Sequence, residues 1–384
     1  MFTFIRCANV SYHPFSKKQP LLTKHCIDPG PTLAKATGLV WCYYIYKGDE
    51  TTWVRQCHEK YGEVVRLGPD RLSYINSQAW KDISGFRTGG RLENSKDYRT
   101  LLQEGPNSKP SVINQTDPQD HGRIRKIFTN AFSDKALKLQ EPMIYTHINK
   151  LIQNLYHAVS ENPDVKLEMV KTYNCATFDI MGDLAFGEPL GMLDTGEYTP
   201  WVKAMFGGLK MGTYVRIAKE FPLLEFFMSV LTPQSLRDAL ALHFNHAIER
   251  VNRRIEKGDD PSKADIWKLV MDKGKDLLSL QEMHSNASLF MLAGTETTAS
   301  VLSGATFYLL KNPSKMQKLV EEIRKLSLEQ LTFEELARLP YMSACLEETL
   351  RCYPPVPIAS PRVIAPGGNA VMGDWLHEGV CNEQ

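Results

Sequence analysis

The longest unbroken pattern in the chain runs from Ser279 to Lys311. It opens with Ser279-Leu280-Gln281-Glu282, the form of a capping box in which serine and glutamate each satisfy a free backbone N–H. It closes at Lys311-Asn312-Pro313, where a basic residue suits the negative helix end and proline bars continuation. The pattern predicts one helix of roughly 30 residues, long enough to cross a domain at about 1.5 Å per residue. Apolar sequence on both sides is interrupted by Ala293-Gly294-Thr295-Glu296-Thr297-Thr298. Glu296 is the only acidic or basic side chain between Glu282 and Lys311, His284 aside. A mid-helix glycine weakens the helix, and threonines can bond back to the preceding turn. A buried acid needs a partner or a proton. Several locally unfavourable choices in one turn point to a site. Leu289 to Leu310 is long enough to span a membrane, but hydroxyls and a central glutamate insert poorly, so a helix in a protein core is the better reading.

Amphipathic patterns predict further helices over Thr52 to Tyr61, Leu137 to Leu155, Val170 to Phe186 (with Gly187 as C-cap) and Pro233 to Lys257. Others follow Asn312-Pro313 to about Leu326, and run from Tyr341 to Tyr353, where Pro354-Pro355 stops them. Thr332 and Glu335 form a second capping-box pattern. Gly62 to Leu67 and Arg71 to Ile75 are β-rich runs around Gly68-Pro69-Asp70, a hairpin signal. Val356 to Gln384 holds short β-like pieces. The long polar stretch from Thr88 to Asp120 and the region from Phe206 to Leu231 are expected to line an entrance. These elements make a mainly α fold (α+β) with small sheets. With no linker or repeat, residues 29–384 read as one large domain behind an irregular segment, 1–28.

Composition narrows the function. A chain of 384 residues, 43% hydrophobic, can bury a large core, and a net charge of +1 gives no pointer to nucleic acid. Its eight cysteines contain no Cys-x-x-Cys pair, which indicates reduced thiols in a cytosol-facing protein, and no metal cluster is expected. Met1 to Pro20 has no sustained apolar run, and Leu39 to Tyr46 is too short to span, so no anchor is evident. Phe221 to Leu231 is strongly apolar and reads either as core or as a surface resting on a bilayer.

Two charged patterns remain. His121 and Arg125 lie four apart on one predicted helical face, with Arg123 and Lys126 adding charge; the face could grip an anion or be merely solvated. Glu348 and Arg351, three apart, can pair, and Arg362 follows a proline. As an exposed pair the first two would contribute well under about 1 kcal/mol.

Taken in order, Ala293-Gly294-Thr295-Glu296-Thr297-Thr298 in mid-helix, Glu348-Thr349-Leu350-Arg351, and the proline run from Pro354 to Arg362 resemble the haem-thiolate monooxygenases of the cytochrome P-450 family. The resemblance runs from about Pro29 to Gly379 and is nearest to fungal, microsomal-type members acting on secondary metabolites. It implies haem and dioxygen, with Ala293 and Gly294 leaving room for oxygen and substrate. It implies that Thr297 hydrogen-bonds oxygen at the iron and that Glu296 relays protons toward it. His121, Arg125 and Arg362 would hold the haem carboxylates. Glu348 and Arg351 would be a buried structural pair. The implied activity inserts one oxygen atom into a small apolar substrate, with electrons from a flavin-containing NADPH reductase docked near Arg123, Lys126 and Lys135. An intact form would sit at the endoplasmic reticulum membrane. The family's Phe-x-x-Gly-x-Arg-x-Cys-x-Gly stretch, which carries the axial thiolate, does not occur in the sequence. Cys381 lacks the glycines and arginine of that loop and is expected not to be the ligand. On that ground the C-terminal part of the fold is expected to be missing, and a truncated, catalytically inactive relative is the alternative.

Overall fold

The computed structural model describes residues 28–85, 87, 92–101, 108–231, 234–258, 264–271, 277–358 and 360–383. The expected irregular N-terminal segment, with Cys7 and Cys26, lies outside them except for Asp28.

The predicted central helix is observed at its predicted bounds. Preceding it are α1 (Thr32–Ala36), α2 (Leu39–Lys47), α3 (Glu50–Tyr61), α4 (Ser77–Ser84), α5 (Pro118–Thr129), α6 (Asp134–Glu161), α7 (Met169–Phe186) and α8 (Met192–Thr195). Then come α9 (Pro200–Lys219), α10 (Pro222–Leu231), α11 (Gln234–Glu256), α12 (Ile266–Met271) and the central α13 (Leu280–Lys311). The chain continues with α14 (Pro313–Ile323), α15 (Phe333–Ala337) and α16 (Pro340–Cys352). The capping box of α13 forms, Ser279 accepting from the Glu282 N–H while Glu282 accepts from the Ser279 N–H at 2.8 Å.

The strands are β1 (Val64–Gly68), β2 (Arg71–Tyr74), β3 (Ser95–Lys96), β4 (Arg362–Val363), β5 (Asn369–Val371), β6 (Asp374–Leu376) and β7 (Cys381–Glu383). They form a five-stranded sheet in the order β1-β2-β7-β4-β3 and a β5-β6 hairpin. The first hairpin is where the sequence predicts it. β7 is not legible as a strand, and it pairs parallel to β2 and antiparallel to β4, with Cys381 opposite Arg71 and Val363. The polar stretch from Thr88 to Asp120 contributes β3, which no propensity announces.

Burial divides into three clusters. The largest joins α5, α7, α9, α11, α12 and α13 through Ile124, Phe178, Trp201, Val251, Trp267 and Met291. A second packs α2 and α3 on β1, and a third packs β2 and α4 against the C-terminal strands. The fold is mainly α with small sheets, as expected.

α10 settles one open alternative. Its Leu223, Phe226 and Phe227 are 76%, 62% and 54% exposed, so this apolar run is surface and not core.

Candidate functional site

α13 packs along α7, and at Gly294 a methionine of α7 lies close against the backbone. A Cβ built there would lie 2.7 Å from Sδ and 2.9 Å from Cε of Met181 on α7. The glycine therefore faces α7. Any side chain at this position would run into the Met181 side chain. Thr295 is wholly buried and its hydroxyl donates to the Met291 carbonyl at 2.7 Å. Ala293, Glu296, Thr297 and Ser300 recur at helical spacing on the other side, where Ala293 is exposed and the other three are half-buried. The open face of α13 is thus the polar one.

Thr297 donates its hydroxyl proton to the Ala293 carbonyl at 2.5 Å, so its lone pairs remain available as acceptors. Among the described residues, the Glu296 carboxyl has no hydrogen-bond or ion-pair partner. Burial raises its pKa from the ordinary 4.5. It therefore holds a proton to higher pH than a free glutamate does. Further along the same face, Ser303, Gly304, Phe307, Tyr308 and Tyr353 line a cavity of about 280 Å³.

A second feature is a corner of like charges. α5 is set against α13 by Phe128, whose ring meets Phe290 edge-on at 4.9 Å. Its N-cap Asp117 accepts from the Asp120 N–H, and the helix presents His121 and Arg125 beside its buried Ile124. The β3-β4 register puts Lys96 directly opposite Arg362. Lys96 donates to the Val112 and Ile113 carbonyls at 3.0 and 2.7 Å, and the Val112 N–H donates to Asn286 of α13 at 2.9 Å. Burial, then Lys96, Arg125 and Arg362, push the pKa of His121 down. Burial and Arg362 push Lys96 down to about 8. Burial lowers Arg362 too, with Glu93 acting in the opposite sense, and its buried Nε has no hydrogen-bond partner. A buried lysine, two half-buried basic groups and an exposed arginine gathered in one corner, with an unsatisfied guanidinium nitrogen among them, fit the carboxylate side chains of haem. The structure thus brings His121, Arg125 and Arg362 together. It adds Lys96, for which a lysine in a two-residue strand inside a polar stretch carried no signal.

Other expectations fare differently. Glu348 and Arg351 pair at 2.7 Å, but their side chains are 61% and 70% exposed. Among the described residues, no element covers that side of α16. Arg123 is not free for docking; it bonds Glu282 at 2.5 Å and Asp120 at 3.2 Å. Cys381 is fully buried in β7 and its thiol donates to Asp97 at 3.3 Å. No group of metal-ligating side chains occurs among the described residues.

The cytochrome P450 family model matches residues 31–367. The chain is 44% identical over 349 residues to a cytochrome P450 monooxygenase, FUM2, of Gibberella moniliformis, covering 90% of this chain and 73% of that protein. It is 42% identical to the cytochrome P450 monooxygenase efuB of Hormonema carpetanum, covering 92% and 70%. It is 35% identical to a versicolorin B desaturase of Dothistroma septosporum, covering 96% and 70%. The chain belongs to the cytochrome P450 family. It is a haem monooxygenase by that membership, and its relatives are fungal enzymes of secondary metabolism.

Gly294→Ala is expected to destabilise the fold by about 1–3 kcal/mol through overpacking on Met181. Urea titration should show most of that loss removed in the Met181→Ala background; equal losses in both backgrounds would rule out the contact as the reason for glycine.

Proposed function

We propose that this chain binds haem with its carboxylates on Lys96, His121, Arg125 and Arg362, against the open face of α13, and acts on a small apolar metabolite. The observation that carries the reading is the gathering of four basic groups around half-buried Arg362, whose Nε has no hydrogen-bond partner. A dianion there relieves the repulsion and restores ordinary protonation to His121 and Lys96. Haem, when bound, supplies the activation of dioxygen.

The chain's own residues handle protons and exclude water. Glu296, half-buried and unpartnered, holds a proton beside Thr297 and can pass it along the α13 face. Thr297, donating to Ala293, offers its oxygen to receive a hydrogen bond. Ala293 leaves the smallest side chain where a substrate approaches, while Met181 fills the space behind Gly294. Cys381 does not supply the axial thiolate in this reading; its hydrogen bond to Asp97 and its place inside the sheet make it a structural thiol. Residues 29–384 act as one domain, and electrons come from a flavin-containing NADPH reductase, for which exposed Lys126 and Lys135 offer a basic approach.

One reconstitution tests these roles. Haem should bind the purified chain at least roughly 10-fold more tightly than haem dimethyl ester, and Arg362→Ala should abolish that preference. Cys381→Ser should leave the reduced carbon-monoxide spectrum unchanged. With reductase and NADPH, Glu296→Gln and Thr297→Ala should divert electrons to peroxide. Equal binding of the ester, a spectrum changed by Cys381→Ser, or unaltered peroxide would each overturn the corresponding role.

Among the described residues, no helix is long and apolar enough to cross a membrane. Exposed apolar side chains do stand on α10, on α2 (Tyr43 and Tyr46) and on α9 (Tyr214), with Tyr46 and Tyr214 ring centres 6.4 Å apart. This surface suits the lipid interface of a cytosol-facing membrane such as the endoplasmic reticulum. Phosphatidylcholine–phosphatidylserine vesicles should carry the chain on flotation and lose it with Phe226→Ser and Phe227→Ser; equal flotation of the variant would exclude the surface.

A further inference from the structure

Three strands of the larger sheet set three polar side chains in one row. Lys96 of β3 stands opposite Arg362 of β4, Arg362 stands opposite Asn382 of β7, and Asn382 stands opposite Leu72 of β2. Residues directly opposite one another on neighbouring strands project from the same face of a sheet, with Cβ atoms about 5 Å apart. Asn382 is therefore the neighbour of Arg362 on the side away from Lys96. Beyond it the row turns apolar, since Leu72 belongs to the cluster that also buries Ile364 and Val380.

Asn382 is fully buried, yet its amide is only half used. Nδ2 donates to the Val380 carbonyl at 3.2 Å, which fixes the way the amide faces and leaves Oδ1 as the open end. Among the described residues, the buried Oδ1 has no hydrogen-bond partner, and neither has the buried Nε of Arg362. An acceptor and a donor are thus left unsatisfied on neighbouring members of one row. A buried amide oxygen without a partner destabilises a fold, and leucine at this position would avoid that loss. Strand pairing does not call for asparagine either, because the ladders on both sides of β7 are made by backbone groups.

We propose that Asn382 is a positioning residue for Arg362, its Oδ1 accepting from the Arg362 Nε–H when the outer nitrogens of the guanidinium take a carboxylate. A guanidinium held at Nε presents its two outer nitrogens as a fixed fork, the geometry that grips a carboxylate at two points. Lys96, on the other side of Arg362 in the row, is already held by the Val112 and Ile113 carbonyls at 3.0 and 2.7 Å. Arg362 is the basic member of the row that still lacks such a hold, and Asn382 supplies it. The role rests on the reading of this corner as the seat of the haem carboxylates; Asn382 acts on haem only through Arg362.

Titration of the full chain with haem and with haem dimethyl ester, beside urea titration of the haem-free chain, tests the role. Asn382→Leu keeps the size of the side chain and removes the acceptor. The haem-free variant should unfold at the same or a higher urea concentration, because a buried oxygen without a partner is gone. Its preference for haem over the ester should fall roughly fivefold, with the affinity for the ester unchanged. In the Arg362→Ala background the same substitution should have no effect on either ligand. Asn382→Asp keeps the shape of asparagine but pairs with Arg362 itself, and it should lower the preference as well. A wild type that takes haem and ester equally would remove the carboxylate corner as a whole, and this role with it. A wild type that discriminates would overturn the role of Asn382 alone in any of three cases: Asn382→Leu or Asn382→Asp discriminates equally well, Asn382→Leu weakens the ester to the same degree, or its loss persists in the Arg362→Ala background.

Discussion

The close approach of α13 to α7 at Gly294 is the constraint that the rest of the molecule obeys. A helix running through a core has one rotation that buries its apolar residues, and here Met181 filling the place of a missing side chain selects it. Once Gly294 and Thr295 face inward, Glu296 and Thr297 must face outward, because neighbouring positions on a helix point about 100° apart. The polar turn is not a defect in the helix. It is the exposed half of a turn whose other half is tightly packed.

The charge corner depends on the same orientation. Asn286, two turns before Ala293 on the same side of α13, accepts from the Val112 N–H, and Lys96 donates to the adjoining carbonyls. The strand register then sets Lys96 beside Arg362, and the packing of Phe128 on Phe290 sets His121 and Arg125 nearby. Four basic groups are so brought together from a loop-bound strand, a helix and the C-terminal sheet, against the repulsion among them. In the proposed reading, a carboxylate-bearing group bound there offsets that repulsion. The ion network at Arg71, Asp97, Arg99 and Glu220 makes the contrast clear. There, acids balance the bases within the chain, and the result is a structural clamp.

Much of this was legible in the sequence where signals are local. The capping box at Ser279, the stop at Asn312-Pro313 and the first hairpin all depend on residues within a few positions, and they stand where the sequence predicts them. The grouping of His121, Arg125 and Arg362 was reached through the family resemblance. What escaped was set by distant partners. Lys96 matters because of its register with Arg362, across more than two hundred residues, and Gly294 because of Met181 on another helix. β7 has no local strand signal of its own, and its partners supply its conformation. The burial of Glu348 and Arg351 could not be judged from their spacing, since three apart on a helix is equally compatible with surface or core.

The central claim is that one face of α13 is open and is the face haem covers. Single cysteines at Ala293, Thr295 and Thr297, introduced in turn and challenged with a small thiol reagent, test it most directly. The account predicts that Ala293→Cys and Thr297→Cys react above the wild-type background without haem and are protected by haem, while Thr295→Cys stays unreactive in both states. Ready labelling of Thr295→Cys, or labelling of Ala293→Cys and Thr297→Cys that haem leaves untouched, would contradict it.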